Sequence, residues 1–288
     1  MTRYRVRVYR RGTRLWTPGT DFVGETLKLY RDLLKPGDIV AFSEKALAVS
    51  LGLIYDESLV KASVIDSVFT YLIKNVLWLH LLKVFFEKRE SISLLEKTPL
   101  ELLAKHKKTI ARLCGPLYIL KPFSECGVDA TNLPYQYVSL PLKNPCRIAY
   151  EVKSAIESKV GFTVNVLVVD SDLCFKPKGV KNLVIATRQS CVRGVVNLGW
   201  IGYLVCKVLF RRMFYEFPTP VSYAGFWLGL EALLKISRAA DKAFGPGLGV
   251  TLDEASRRAG AGLTSLGWRE LYRYKHYPVV VVRVRKSL

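Results

Sequence analysis

Acidic residues are scarce in this chain of 288 residues: 24 Asp and Glu stand against 44 Lys and Arg, a formal charge of +20. Such a balance suggests a polyanionic partner (nucleic acid, nucleotide or anionic lipid), or simply a basic surface kept for solubility. Histidine is scarcer still. His80, His106 and His276 stand far apart, so no His-x-x-x-His metal site can form from neighbouring positions. The six cysteines include no Cys-x-x-Cys pair, which excludes a zinc ribbon. No glycine-rich stretch ends in Gly-Lys-Ser/Thr, and Phe244–Gly249 reads as a turn between helices. A nucleophile elbow is missing too, so Ser-His-Asp or Cys-His catalysis has no support. Long Pro-, Ser- or Gly-rich linkers are absent, so disorder is not expected. The charged start, Met1-Thr2-Arg3-Tyr4-Arg5, carries no apolar run of a signal peptide. The expectation is a cytoplasmic protein with reduced, mostly buried thiols.

Half of the residues are hydrophobic, enough for one large domain or two small ones. Ser63–Phe86 is the most apolar stretch, but Asp66, Lys74, His80 and Lys83 interrupt it. A charge-free span of about 20 residues is what a bilayer requires, so a largely buried core helix is expected, with His80 a satisfied core residue and no membrane partner. Val195–Cys206 is too short for a span, and reads as core or as an interface between subunits.

Alternation of Arg3, Arg5 and Arg7 with Tyr4, Val6 and Val8 predicts a first strand, and Pro278–Arg285 predicts a last one. Their arginines read as solvated strand faces. Between them, helices are expected over Thr20–Leu34, Ser63–Glu87, Leu100–Leu113, Asn144–Val160, Tyr223–Ala243 and Leu252–Ala259. Strands are expected at Ile39–Phe42, Thr163–Val169 and Asn182–Thr187. The irregular alternation points to an α+β, or mixed α/β, fold rather than a regular doubly wound sheet.

Candidate chemistry sits at the ends of strands. The Pro36-Gly37-Asp38 turn and the Ile39–Phe42 strand deliver Ser43, Glu44 and Lys45. Gly127-Val128-Asp129-Ala130-Thr131-Asn132-Leu133-Pro134 packs carboxylate, hydroxyl and amide into one turn. Asp170 and Asp172 follow the Thr163–Val169 strand. Carboxylates converging from separate loops suit a hard cation carrying a nucleotide; capping of turns by Asp is the ordinary alternative. The basic run Lys176, Lys178, Lys181, Arg188 and Arg193 can clamp phosphates or line a solvated loop.

Taken in order, Pro36–Lys45, Gly127–Pro134 and Val168–Asp172 resemble the coenzyme F420-0:gamma-glutamyl ligase family, with GVDATNLP the most specific of the three. The resemblance spans about residues 12–190. It implies an F420-ligase-like fold of two intertwined subdomains over residues 1–288, with an inner subdomain over about 120–215, and a homodimer. It also implies GTP as cosubstrate, Mg²⁺ or Mn²⁺, and attack of L-glutamate on an acyl phosphate of a carboxylate acceptor. Asp129, Asp172 and Asp170 would hold metal; Ser43, Glu44, Lys45 and Asn132 would contact the nucleotide. No catalytic nucleophile is needed, since positioning and charge neutralisation do the work. The chain departs from the family pattern at Val49, where a second lysine is usual, and at Leu173, where Ser or Thr follows the metal-binding Asp. Cys174–Lys178 and the surroundings of Glu231 and Asp241 differ as well. The alternatives are a relative that binds a nucleotide or polyanion without ligating, and a nucleic-acid-binding protein.

Overall fold

The sheet at the centre is built from continuous apolar runs, which form strands when both faces are covered. In the computed structural model, residues 4–83, 89–122, 126–249, 252–260, 262 and 265–286 are described. The central strands are β1 (Tyr4–Arg10), β2 (Ile39–Ser43), β5 (Asn165–Pro177) and β9 (Val279–Lys286), in the order β1-β9-β2-β5. β2 and β5 run parallel, while β9 is antiparallel to both β1 and β2. Strands β6 (Val184–Ala186) and β7 (Val195–Asn197) extend the sheet beyond β5, and β8 (Phe214–Ala224) pairs with the other edge of β5. A separate small ribbon joins β3 (Ile54–Asp56) to β4 (Tyr137–Ser139).

Alternate residues of the central strands divide between two cores, as a period of two requires. Val40, Phe42, Val166, Val168, Val279 and Val281 meet a layer made by helices α1 (Phe22–Tyr30), α2 (Glu44–Ser50) and α6 (Pro145–Val160). Ile39, Ala41, Leu167, Val169, Val280 and Val282 meet α8 (Leu230–Phe244) through Ile236, Ala240 and Phe244. This is the α+β class expected. An outlying unit holds α3 (Val64–Tyr71, widening into a π-helical turn over Leu72–Leu81), α4 (Arg89–Lys97) and α5 (Leu100–Cys114). It packs on α7 (Gly199–Tyr203, which widens over Leu204–Leu209) through Ile73, Trp78, Leu103 and Val208. α9 (Leu252–Arg258) and α10 (Trp268–Leu271) close the chain before β9.

Several expectations are corrected. β5 does not end at Val169 but runs on to Pro177, because β8 covers its edge along its length. The helix expected over Tyr223–Ala243 starts only at Leu230; Tyr223 and Ala224 finish β8. Pro218 and Pro220 hid that strand, and they are tolerated because β8 pairs on one side only. The helix expected to be buried at Ser63–Phe86 turns much of its apolar surface outward, and His80 is exposed rather than in the core; residues 84–86 of it, like Arg3, lie outside the described residues. Val196, Leu198 and Ile201 are exposed too, although Gly199, Gly202 and Cys206 are buried. Arg283 is not solvated: it makes a two-pronged pair with Asp38 at 2.6 and 2.7 Å, tying β9 to the Pro36-Gly37-Asp38 turn, whereas Arg5 and Arg7 are exposed. Finally, only Cys174 and Cys206 are free, buried thiols; Cys114 is bonded to Cys126 and Cys146 to Cys191.

Candidate functional site

Helix α2 begins where β2 stops, so Glu44 and Lys45 leave the sheet within one turn. Glu44 points inward and is 3 % exposed. Lys45 reaches the turn at Asp129. Its Nζ pairs with the Asp129 carboxylate and donates to Thr131 Oγ1 at 2.6 Å and to the Thr131 carbonyl at 3.0 Å. Asp129 Oδ1 accepts in turn from the Thr131 amide and hydroxyl, both at 2.8 Å. A backbone bridge between Asp129 and Ser139 fixes the turn to β4. Burial works to raise the Asp129 carboxyl, but Lys45 and Thr131 outweigh it and hold its pKa below the ordinary value.

Asn132 takes a left-handed conformation, φ 55°, which Asn tolerates better than most residues. Its Oδ1 accepts from the Leu248 amide at 2.8 Å, and its Nδ2 donates to the carbonyls of Pro246 and Gly249 at 3.2 and 3.3 Å. The Phe244–Gly249 turn is thus pinned against the Asp129 turn.

Asp170 and Asp172 sit inside β5 where its pairing with β8 slips. Asp170 faces Thr219 and Leu173 faces Pro218, so Ser171 and Asp172 bulge out of register. Bulges recur beside functional sites because they re-aim side chains. Thr219 Oγ1 holds the bulge by donating to the Asp172 carbonyl at 2.6 Å.

Arg188 joins these segments. It follows β6, is 1 % exposed, and donates to both oxygens of Glu44 and to Asp170. Burial opposes its charge, yet Glu44, Asp170 and Asp172 raise its pKa above the ordinary value. Gly127 makes room for it. A Cβ on that glycine would lie 2.6 Å from Arg188 Cζ, and its φ of +84° favours glycine as well.

Asp172 is buried, and its Oδ2 has no hydrogen-bond partner. Burial, then the neighbouring Asp170 charge, pushes its carboxyl up to about 7 despite Lys121 and Arg188. Lys121, 2 % exposed, donates to Thr187 Oγ1 at 3.4 Å. Asp241 on α8 is raised to about 6 by burial and by Asp170. On the Lys45 side, His276 is lowered to about 4 by burial and by the Lys45 charge.

These contacts link the carboxylates of Glu44 and Asp170 through Arg188, bring Asp172 within their electrostatic reach, and tie Lys45 to Asp129 in the turn. Within this arrangement GVDATNLP does structural and electrostatic work that a surface turn would not need. The chain belongs to the F420-0:gamma-glutamyl ligase family. The family model matches residues 12–193, and an uncharacterized protein of Methanocaldococcus jannaschii is 32 % identical over 208 residues, covering 70 % of each chain. The matched span holds Lys45, Asp129, Asp170, Asp172 and Arg188; Asp241 and His276 come from beyond it.

Ser43 closes β2, and its amide donates to the Pro278 carbonyl at 2.8 Å. Val49, at the family's usual second-lysine position, is buried in α2. In the sequence Arg188 stands out only as one cation in a basic run, and Lys121 does not stand out at all. The signal for Arg188 is its place one residue beyond Thr187, at the end of an apolar strand; for Lys121 no local signal exists.

Proposed function

We propose that this chain is a nucleotide- and divalent-metal-dependent ligase. It joins the amine of L-glutamate to a carboxylate acceptor through an acyl phosphate, with GTP as phosphoryl donor, and acts as a homodimer. The observation that carries the reading is Asp172: a buried carboxylate with an unpartnered oxygen, flanked by Asp170 and facing the Lys45–Asp129 turn.

The residues present fit a hard cation. Their donors are carboxylate oxygens, which suit Mg²⁺ or Mn²⁺. Among the described residues no group of three or more His, Cys, Asp and Glu side chains is placed to hold a metal ion by itself. A cation that keeps its waters and borrows phosphate oxygens needs only one or two carboxylates. Asp172 and Asp129 would supply them, with Asp170 beside them. When bound, the cation neutralises phosphate charge.

The chain's own groups do the rest. Lys45, beside Asp129 and Thr131, would set an ammonium against the phosphates, and Lys121 would add a buried cation. Ser43 and Glu44 define the strand end under the nucleotide, and Asn132 holds the Pro246–Gly249 backbone beside it. Arg188 keeps Glu44 and Asp170 fixed while charge moves. Phosphoryl transfer to a carboxylate asks for positioning and electrostatics more than for a nucleophile.

A second reading, a relative that binds the nucleotide without ligating, is favoured by Val49 and Leu173, which replace polar groups of the family pattern. Two measurements separate the readings. Calorimetry with GTP, with and without Mn²⁺, is expected to show metal-dependent binding that Asp129→Asn and Asp172→Asn abolish. Mass spectrometry after incubation with acceptor and L-glutamate is expected to show a glutamylated product. Metal-dependent binding without product supports the second reading; binding unchanged in both variants removes the metal site.

A further inference from the structure

Helix Val64–Leu81 is amphipathic the wrong way round for water. A helix on a water-soluble surface turns its apolar stripe to the core and its charges to solvent. Here the charges point inward. Asp66 pairs with Lys108 at 2.6 Å and caps the helix through Ser63, and Lys74, 8 % exposed, donates to the carbonyls of Glu96 and Thr98 at 3.1 and 2.7 Å. The outward face carries Val64, Ile65, Val68, Phe69, Leu72 and Val76, with Val64 80 % and Phe69 58 % exposed. Among the described residues this is the one helix long and apolar enough, by composition, to sit in a bilayer. It is nonetheless fastened along its length, to α5 through Asp66, to the end of α4 and Thr98 just beyond it through Lys74, and to α7 through the Trp78–Tyr203 ring contact at 6.0 Å.

The end of α7 and the turn after it add exposed apolar side chains flanked by exposed cations. Leu209, Phe210 and Met213 are exposed, and Arg211 and Arg212, also exposed, lie between them. Lys61 is exposed just before the helix, and Lys83, half-exposed and 3.5 Å from Glu96, lies just after it. Apolar side chains bordered by cations match a bilayer interface with anionic headgroups, the arrangement of interfacial helices. A second copy meeting this face with its own is the poorer occupant, because Lys61, Arg211 and Arg212 would be set against their like-charged counterparts.

We infer that the Val64–Leu81 face, with Leu209–Met213, docks this protein onto anionic lipid surfaces, the helix lying in the interface plane. The inference does not rest on the ligase reading, and places that reaction, or any other, beside a membrane.

Flotation of the full chain with vesicles tests it. With equal parts phosphatidylcholine and phosphatidylglycerol, the protein is expected to float at least about tenfold more than with phosphatidylcholine alone, since each Lys or Arg at the surface adds to the attraction. High salt is expected to weaken the binding. Val68→Glu with Phe69→Glu is expected to abolish flotation while circular dichroism and thermal unfolding stay unchanged, and Arg211→Glu with Arg212→Glu to reduce it. Equal flotation with neutral vesicles overturns the cationic part. No flotation, with sedimentation showing a dimer that the Val68→Glu, Phe69→Glu protein lacks, overturns the lipid assignment and gives the face to a second copy. No association of either kind overturns the inference outright.

Discussion

Arg188→Met isolates the charge cluster on which the site is built. Arg188 and Glu44 are 1 % and 3 % exposed, so replacing the cation strands Glu44 and Asp170 without a counter-charge in a region that water barely enters. Removing one partner of a buried ion pair costs about 3–5 kcal/mol. For a chain of this size each kcal/mol shifts the melting temperature by about 2–4 °C, so the expected fall is about 6–20 °C at pH 7. The pH dependence supplies an independent check. Burial already holds the Glu44 carboxyl pKa above its ordinary value despite Arg188, and losing the guanidinium raises it further. Groups raised in this way favour folding at low pH and lose that contribution as pH rises through the folded pKa. The gap between parent and variant is therefore expected to narrow as pH falls from 7 towards 4. Adding Glu44→Leu and Asp170→Asn to the Arg188→Met variant is expected to recover part of the loss. Scanning calorimetry across that pH range decides the matter. A fall below about 3 °C, where at least about 6 °C is expected, or a gap independent of pH, would refute the claim that Arg188 neutralises these two carboxylates.

Gly127→Ala is expected to destabilise by more than Gly52→Ala. Both glycines have positive φ, costing about 1–2 kcal/mol for an alanine, but only the Gly127 Cβ would meet Arg188, while nothing lies within 4 Å of the Gly52 position. Denaturant midpoints of the two variants measure the difference, and equal losses would remove the Gly127–Arg188 contact from the account. His276 sets an acid limit. Its folded pKa of about 4 lies below the unfolded 6.5, so the unfolded chain binds the extra proton and stability falls between about pH 6.5 and 4, by at most about 3 kcal/mol. His276→Gln is expected to flatten urea-derived stability across that window; an unchanged slope would show that other groups carry it. Thiol titration reads the cysteine pairing. Cys174, buried with its thiol pushed up to about 12, and Cys206, raised to about 11, are expected to resist reagent in the native protein. Both are expected to react on denaturation without reductant, and all six cysteines after reduction, whereas six reactive thiols without reductant would exclude both disulfides.

The strands buried on both faces were legible because they are continuous apolar runs rich in β-branched residues. Ile39–Phe42 and Pro278–Arg285 lie within a residue or two of the bounds of β2 and β9. β8 was not legible, because two prolines and a Tyr-Ala end followed by glycine imitate a loop leading into a helix; only the pairing with β5 explains why they are tolerated. The Val64–Leu81 helix misled for a different reason. Apolar content measures what a segment will bury, but not against what, and interrupting charges do not reveal which way they point. Asp66 and Lys74 look like breaks in a span on paper, and are inward anchors in the fold.

The site was legible only in its carboxylates and in Lys45, since strand ends and turns can be found from local sequence. The cations that make those carboxylates tolerable could not be found that way. Lys121 and Arg188 come from separate segments and acquire their meaning only through long-range packing, Arg188 against Glu44 at a separation of 144 residues. The consequence concerns function as much as folding. Arg188 consumes the charge of Glu44 and Asp170, and Lys45 that of Asp129, which leaves Asp172 as the carboxylate with spare capacity. If a cation binds at this site, Asp172 should dominate its affinity. Asp172→Asn should therefore cost more Mn²⁺ affinity than Asp170→Asn, even though Asp170→Asn disturbs the Arg188 cluster and should lower thermal stability more. Manganese titration followed by electron paramagnetic resonance, set beside the melting temperatures of the two variants, reads both orders. Affinity and stability falling in the same order would mean that the cluster merely holds the fold, and that the spare oxygen of Asp172 has no ligand to meet.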